Sequence, residues 1–283
     1  MAYLVPSEFV TKMVDAGESK IFMSTKDTVI RAYMAGAILA LAAFMAVTII
    51  TQTGMPIVGA SFFPVGFCML YLLGFDLLTG VFMLTPLALI DRRPGVTAGG
   101  VLRNWGLVFV GNFAGALAVA LMMAFVFTYG FTTGPGPVGE KIAGIGVART
   151  LGYASHGMGG WFTIFVRGML CNWMVSTGVV GAMISTHVSG KVIAMWMPIM
   201  LFFFMTFEHS VVNMFLFPSA LMMHGNFSIK DYFIWNEIPT VLGNLVGGIA
   251  FTGATLYTTH VRTAPARRMA VRPVTQLRAT AAE

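Results

Sequence analysis

The chain has 283 residues, of which 57% are hydrophobic and 10% charged, with a formal net charge of +6 and a mean hydropathy of +0.81. Soluble domains carry about 25% charge, so the composition excludes an ordinary soluble fold and marks an all-α integral membrane protein. The basic excess is placed as a topology signal, and no His, Cys and acidic residues stand at metal-ligand spacing, so no nucleic-acid partner, metal or cofactor is expected.

Residues 1–30 mix Glu8, Asp15, Glu18 and Asp27 with Lys12, Lys20 and Lys26 and contain no long apolar run, so they do not read as a cleaved signal peptide. Pro6-Ser7-Glu8 reads as a helix start with Ser7 as N-cap. Phe9, Met13 and Ala16 then share a face, which predicts an amphipathic cytoplasmic helix lying along the membrane surface. Apolar segments follow at about 31–53, 60–90, 103–129, 161–186, 192–223 and 237–260. A span needs about 20 residues, so the second and fifth segments, at 60–90 and 192–223, are too long to be single helices. Each is expected to break midway, around Asp76 and around Glu208-His209. The stretch 130–160 holds ten glycines and is expected to be irregular. The Ala/Arg/Thr-rich tail, 261–283, is expected to be disordered and cytoplasmic. Cys68 and Cys171 lie in apolar runs and read as reduced core residues.

The chain contains itself twice. Phe75-Asp76 and Pro86 recur as Phe207-Glu208 and Pro218, and Gly111-Asn112-x-x-Gly115 recurs, at the same offset along the chain, as Gly243-Asn244-x-x-Gly247. Each copy holds three spans, an odd number, so the second enters the membrane from the opposite face. The reading is therefore six transmembrane helices in one domain, 31–260, as two inverted three-helix repeats at about 31–130 and 161–260, with a site near the midplane between the broken helices. Lys12, Lys20, Lys26, Arg31, Arg92, Arg93, Arg103, Lys191 and the five tail arginines stand on one face, against Lys141, Arg149 and Lys230 on the other. That asymmetry puts both termini in the cytoplasm of a cell whose inner (plasma) membrane carries the protein.

An acid at the centre of a span costs about 2.5–3.5 kcal/mol, so two acids in matched places point to a site. His209 is the one histidine inside an apolar segment, and its ordinary titration near pH 6.5 suits a proton relay. A satisfied core histidine is the alternative, disfavoured by its place beside Glu208 in a break. Thr79 stands in the matching break, where its hydroxyl donates to an anion or caps a half-helix. Asp76 and Glu208 either touch substrate or hold the broken backbone. The second is favoured, because an acid facing an anion path repels it, whereas an acid accepting backbone N–H groups stabilises the break. Asn112 and Asn244 serve as interhelical glue or reach the pore. Phe202-Phe203-Phe204 faces lipid or core, or lends a gating ring. A neutral-solute channel of the ammonia or water type is a competing reading on the same plan. An intramembrane enzyme using His209 as base lacks a nucleophile in reach, since the neighbouring Ser210 does not face it on a helix.

At this point the sequence resembles the formate/nitrite transporter family. The resemblance rests on Phe207-Glu208-His209-Ser210-Val211-Val212-Asn213-Met214-Phe215, Gly74-Phe75-Asp76-Leu77-Leu78-Thr79, Cys171-Asn172-Trp173-Met174-Val175 and Ile238-Pro239-Thr240-Val241-Leu242-Gly243-Asn244, and runs from Pro6 to about His260. It implies an aquaporin-like fold in the lipid bilayer, a homopentamer with one pore per subunit, and passage of formate, nitrite, hydrosulfide or lactate; a proton given up by His209 midway would make protons a partner and couple that passage to pH, as an open channel or as a proton-coupled carrier. It implies His209 as the pore histidine and Thr79 as the threonine of the loop breaking the second segment. Phe63, Phe67, Leu77 and Phe202 become the constrictions, and Asn172 and Asn244 pore-associated polar residues. The family usually has a lysine in the outer vestibule, where counting back from Asn172 puts His156; the anion-attracting field is then expected to be weaker, more pH-dependent through His156, or supplied by Arg149 upstream.

Overall fold

The computed structural model describes residues 3–263, so part of the tail expected at 261–283 lies outside the described residues. The fold is helical throughout, apart from a single backbone bridge between Tyr3 and Ser185. In chain order the helices are α1 (Pro6–Phe22), α2 (Thr25–Thr53), α3 (Pro56–Phe62), α4 (Pro64–Leu72), α5 (Leu78–Ile90), α6 (Ala98–Phe127), α7 (Gly136–Ala148), α8 (Leu151–Ala154), α9 (Gly157–Ile184), α10 (Val188–Phe204) and α11 (Ser210–Met222). The last is α12 (Ile229–Arg262), which contains three π turns. Among the described residues, α2, α6, α9 and α12 are long and apolar enough to cross a membrane, while the apolar pieces of the second and fifth segments are shorter. Both long segments are broken, at 73–77 and at 205–209.

Helix starts follow their caps rather than the apolar runs. Ser24 Oγ accepts from Asp27 N at 3.1 Å and Thr97 Oγ1 from Gly100 N at 3.0 Å, so α2 and α6 begin earlier than hydropathy alone indicates. At α1 the cap is Val5, with Pro6 in the first turn and Val5 N donating to Glu8 Oε2 at 3.2 Å. Ser7 is therefore one residue inside the helix, not its N-cap. The α1 face carrying Phe9, Val10, Met13, Val14 and Ile21 is buried against the protein, so it is not a lipid-facing surface. A Cβ on Gly17 would stand 2.7 Å from Leu84 C, which sets how closely α1 lies on α5.

The glycine-rich stretch 130–160 is ordered as α7 and α8, against the expectation of irregular chain. Its glycines make room: a Cβ on Gly146 would lie 2.6 Å from the Ala220 Cβ of α11, and one on Gly139 would lie 2.9 Å from Met223 Sδ. Val138 and Ile142 complete the buried face of α7.

Two long helix pairs also pack backbone against backbone. In α2–α6, a Cβ on Gly115 would meet Tyr33 C at 2.8 Å and one on Gly36 would meet Asn112 C at 2.9 Å; in α9–α12, a Cβ on Gly247 would meet Met169 C at 2.9 Å. Backbone-to-backbone packing through small residues is how membrane helices gain van der Waals contact without a hydrophobic driving force. The outward faces, with Leu121, Met122 and Phe125 on α6 and Ile193 and Met197 on α10, remain exposed and apolar. Gly115→Leu and Gly247→Leu should each force such a pair apart, costing on the order of 1–3 kcal/mol or more. Thermal denaturation of purified protein in detergent checks this; an unchanged midpoint would contradict the close approach.

Candidate functional site

Each break is built by one local motif. Where α4 ends, Gly74 takes the left-handed conformation (φ 74°), Gly74 N donates to Tyr71 O at 3.0 Å and Phe75 N donates to Leu70 O at 2.9 Å. Where α10 ends, Thr206 takes the same conformation (φ 53°), Thr206 N donates to Phe203 O at 3.0 Å and Phe207 N donates to Phe202 O at 3.0 Å. This is the turn that commonly stops a helix. Every residue of the second turn keeps the offset that carries Phe75-Asp76 onto Phe207-Glu208.

The chain then runs extended and restarts as a helix, leaving backbone groups that need partners in a dry interior. Asn112 supplies them on one side: its Oδ1 accepts from Leu78 N at 2.9 Å, and its Nδ2 donates to Asp76 O at 2.9 Å and to Ala32 O at 2.7 Å. Asn244 does the same on the other: Oδ1 accepts from Ser210 N at 3.0 Å, and Nδ2 donates to Glu208 O at 2.9 Å and to Gly168 O at 2.9 Å. The backbone is therefore held by the asparagines. The acids accept no backbone N–H among the described residues, which corrects the expectation for Asp76 and Glu208. An unpaired buried carboxylate is costly, and each acid is met by a cation: Asp76 Oδ1 pairs with Lys20 of α1, and Glu208 Oε2 lies 3.6 Å from Arg149 Nη1 and accepts from Asn213 Nδ2 at 3.0 Å and Asn236 Nδ2 at 3.4 Å.

Between the breaks, Thr79 Oγ1 and His209 Nε2 lie 3.3 Å apart, both buried. His209 is the N-cap of α11, its Nδ1 accepting from Val212 N at 3.4 Å. With Nδ1 occupied as an acceptor, a neutral ring carries its proton on Nε2 and donates it to the Thr79 hydroxyl. Asn172 stands behind this pair, donating to Thr79 O at 3.1 Å and Asn244 O at 2.7 Å. Phe202 stacks on His209 with centroids 5.5 Å apart, and Phe63 meets Phe202 edge-on at 5.6 Å. Phe67 and Leu77 are buried as well.

Two cavities approach this centre. One, of about 430 Å³, is walled by Lys141, Arg149, Tyr153, Arg167, Phe202, Phe207 and His209. The other, of about 260 Å³, is walled by Lys20, Phe67, Tyr71, Asp76, Leu77 and Val179. Arg167 and Val179, both on α9, stand about 18 Å apart along its axis at 1.5 Å per residue, so the cavities lie toward opposite ends of that helix. Neither wall includes Thr79, Asn172, Asn244 or Phe63. Burial first, then the Glu208 carboxylate, push the Tyr153 phenol above its ordinary value, so it remains a neutral hydroxyl.

A family profile described as "Formate/nitrite transporter" matches residues 7–258. The chain belongs to the formate/nitrite transporter family. It is 33% identical to the "Probable formate transporter" of Methanothermobacter thermautotrophicus, over 83% of this chain and 89% of that one. To the "Formate channel FocA" of Haemophilus influenzae it is 31% identical, over 77% and 81%. Among solved structures, an "FNT family ion channel" superposes with a TM-score of 0.76 at 21% identity, over 88% of this chain and 98% of the other. A "Pentameric formate channel with formate bound" superposes at 0.65 and 22%, over 79% and 92%. The fold of this formate/nitrite transporter is thus that of the family's channels, and several apolar helices make it a multi-pass membrane protein.

In this member of the family, His156 is the exposed N-cap of α9 and is absent from the cavity wall, while Arg149 stands in the wall and reaches Glu208. Counting back along the chain from Asn172 locates a position on α9, but the cation that meets the acid arrives from the end of α7. Lys20, Asn213, Asn236 and Arg167 were not legible as site residues. Lys20 had a signal: Phe9, Met13, Ala16 and Lys20 share one helical face, so a lysine there points into the protein. Lys20→Met, which leaves Asp76 buried and unpaired, should destabilise by about 3 kcal/mol, and Lys20→Met with Asp76→Asn by clearly less. Thermal midpoints decide it, and equal losses in the single and double variants would show that the pair is not coupled.

Proposed function

We propose that this transporter passes small monovalent anions, formate foremost, through one pore in each subunit of a homopentamer. Each subunit is read as two inverted three-helix repeats, about 31–130 and 161–260, flanked by cytoplasmic segments 1–30 and 261–283 in the inner (plasma) membrane. The observation that carries the reading is the buried Thr79–His209 pair lying between two cation-lined cavities. The matched hydrogen bonds of the two breaks support the repeat, and the basic excess near the termini supports their cytoplasmic side. Formate is preferred over nitrite, hydrosulfide and lactate because relatives bear formate in their names.

Lys141, Arg149 and Arg167 in the wall of the larger cavity draw an anion into that vestibule. The waist of Phe63, Phe67, Leu77 and Phe202 is apolar, and a bare charge there is heavily penalised. The N-termini of α5 and α11 point partial positive charge at the breaks and lower that cost. His209 Nε2–H and the Thr79 hydroxyl offer the polar donors at the narrowest region, and a proton that His209 takes up from vestibule water and passes to the anion, returning to the neutral ring, lets a weak acid cross in neutral form. Flux of a weak-acid anion then rises as pH falls, because the fraction available as neutral acid grows.

Flux into proteoliposomes at pH 5 and pH 7 tests the reading. Formate uptake should be faster at pH 5, and His209→Phe, which keeps the bulk and removes the donor, should reduce it by at least about tenfold, a modest loss for a general acid–base group. Thr79→Val should weaken selectivity among the anions. Equal flux at both pH values with unchanged flux in His209→Phe would overturn the relay, and passage of water or ammonia alone would return the protein to the neutral-solute class.

A further inference from the structure

The two breaks share one hydrogen-bond pattern but differ in the residue at the turn. Gly74 stands in the left-handed region on one side and Thr206 on the other. Glycine adopts that conformation freely, whereas a β-branched residue there is a genuine outlier that the surroundings must hold. Arg167 of α9 holds it. Its Nη2 donates to Thr206 O at 2.6 Å and to Met205 O at 3.4 Å, its Nε donates to Thr206 O at 3.2 Å, and Nη2 also donates to the Thr206 hydroxyl. At the other break the nearby cation, Lys20, bonds the Asp76 side chain and leaves the Gly74 backbone alone.

The clamped turn sits between two residues of the waist. Its closing bonds run to Phe202 O and Phe203 O, and shortly after it in the chain comes His209, on which Phe202 stacks. Fixing the Met205–Thr206 carbonyls therefore fixes the spacing of Phe202 and His209.

The clamp also leaves a charge uncancelled. Carbonyls accept hydrogen bonds without neutralising a guanidinium, and Arg167 makes no ion pair among the described residues. Its Nη1 makes no hydrogen bond among them either, and the residue is part of the larger cavity's wall. Arg149, in the same wall, faces the Glu208 carboxylate. Arg167 thus presents an unneutralised cation whose Nη1 N–H groups remain free at that cavity, able to give an oxyanion a charge-assisted hydrogen bond.

We infer that Arg167 is a positioning residue that holds the Thr206 turn and, from the same place, recruits the anion on that side of the pore. The identity of the anion rests on the function proposed above; the clamp does not. The test uses Arg167→Met, Thr206→Gly, the double variant, and Arg167→Lys in the Thr206→Gly background, all as purified full-length protein.

The first readout needs no substrate. Arg167→Met should lower the thermal midpoint by several degrees, and by much less when Thr206→Gly is already present, since glycine needs no clamp. Equal losses in the two backgrounds overturn the clamp. Should Arg167→Met alone fail to yield protein, Thr206→Gly is expected to restore it, and failure to do so overturns the clamp equally.

The second readout is the half-saturating formate concentration in proteoliposomes, compared within the Thr206→Gly background. Arg167→Met should raise it on the order of tenfold at low ionic strength, with the difference shrinking as inert salt screens the charge. Arg167→Lys should recover most of it. Parental half-saturation in the double variant overturns the recruiting role. If the unmodified protein passes no formate, nitrite, lactate or hydrosulfide, the functional reading fails, and the thermal comparison still decides the clamp.

Discussion

A helix that stops and restarts at membrane depth leaves N–H and C=O groups that no water reaches, and each costs several kcal/mol if left without a partner. Much of this protein's architecture follows from meeting that demand twice. Asn112 and Asn244 each take an N–H and a carbonyl of the break and a carbonyl of a neighbouring helix, which an amide can do because it carries both an acceptor and a pair of donors. For the amide to reach, its own helix must lie very close to that neighbour. The glycines flanking each asparagine permit this, since a Cβ on Gly115 would meet Tyr33 C at 2.8 Å and one on Gly247 would meet Met169 C at 2.9 Å. The Gly-Asn-x-x-Gly sequence is thus one device, in which small residues bring the helices together so that the asparagine can span to the break.

The charges are organised by a similar economy. Both acids lie at the breaks and are buried, so each needs a cation, and each receives one from an element outside its own long segment. Lys20 comes from α1, which packs against α5, and Arg149 comes from the end of α7, which packs against α11. With each acid met by a cation, the polar contact left between the breaks is the Thr79–His209 pair, while the larger cavity keeps Lys141 and Arg167 in its wall beside the paired Arg149. Removing one partner of such a pair strands the other in a low dielectric, which is why the helices that deliver the cations are as necessary to the fold as those that carry the breaks.

Some of this was legible in the chain. Segments too long for one span announced the breaks, and a constant offset between matched motifs announced that the breaks are copies. Asp76, Glu208, Thr79 and His209 stood out because polar residues in apolar runs have few reasons to be there. The misreadings share a cause. Glycines in 130–160 read as irregular chain because sequence records the absence of a side chain but not the neighbour that fills its place; Ala220 and Met223 fill it. The α1 face read as lipid-facing because apolarity is the same signal whether the partner is lipid or α5. The acids read as backbone acceptors because their cations, Lys20 and Arg149, stand on other elements far off in sequence.

By itself, the sequence determined the class, the membrane, the family, the positions of both breaks and the residues at their centre. These depend on hydropathy, span length and local motif, all of which are properties of contiguous residues. Only the tertiary structure decided which cation meets which acid, that asparagines rather than carboxylates hold the broken backbone, and that Arg167 steadies a threonine where the other copy has glycine. Those are outcomes of burial and distance between segments remote in the chain, and burial is what turns a charge or an unpaired amide from a neutral detail into a cost that some other residue must meet.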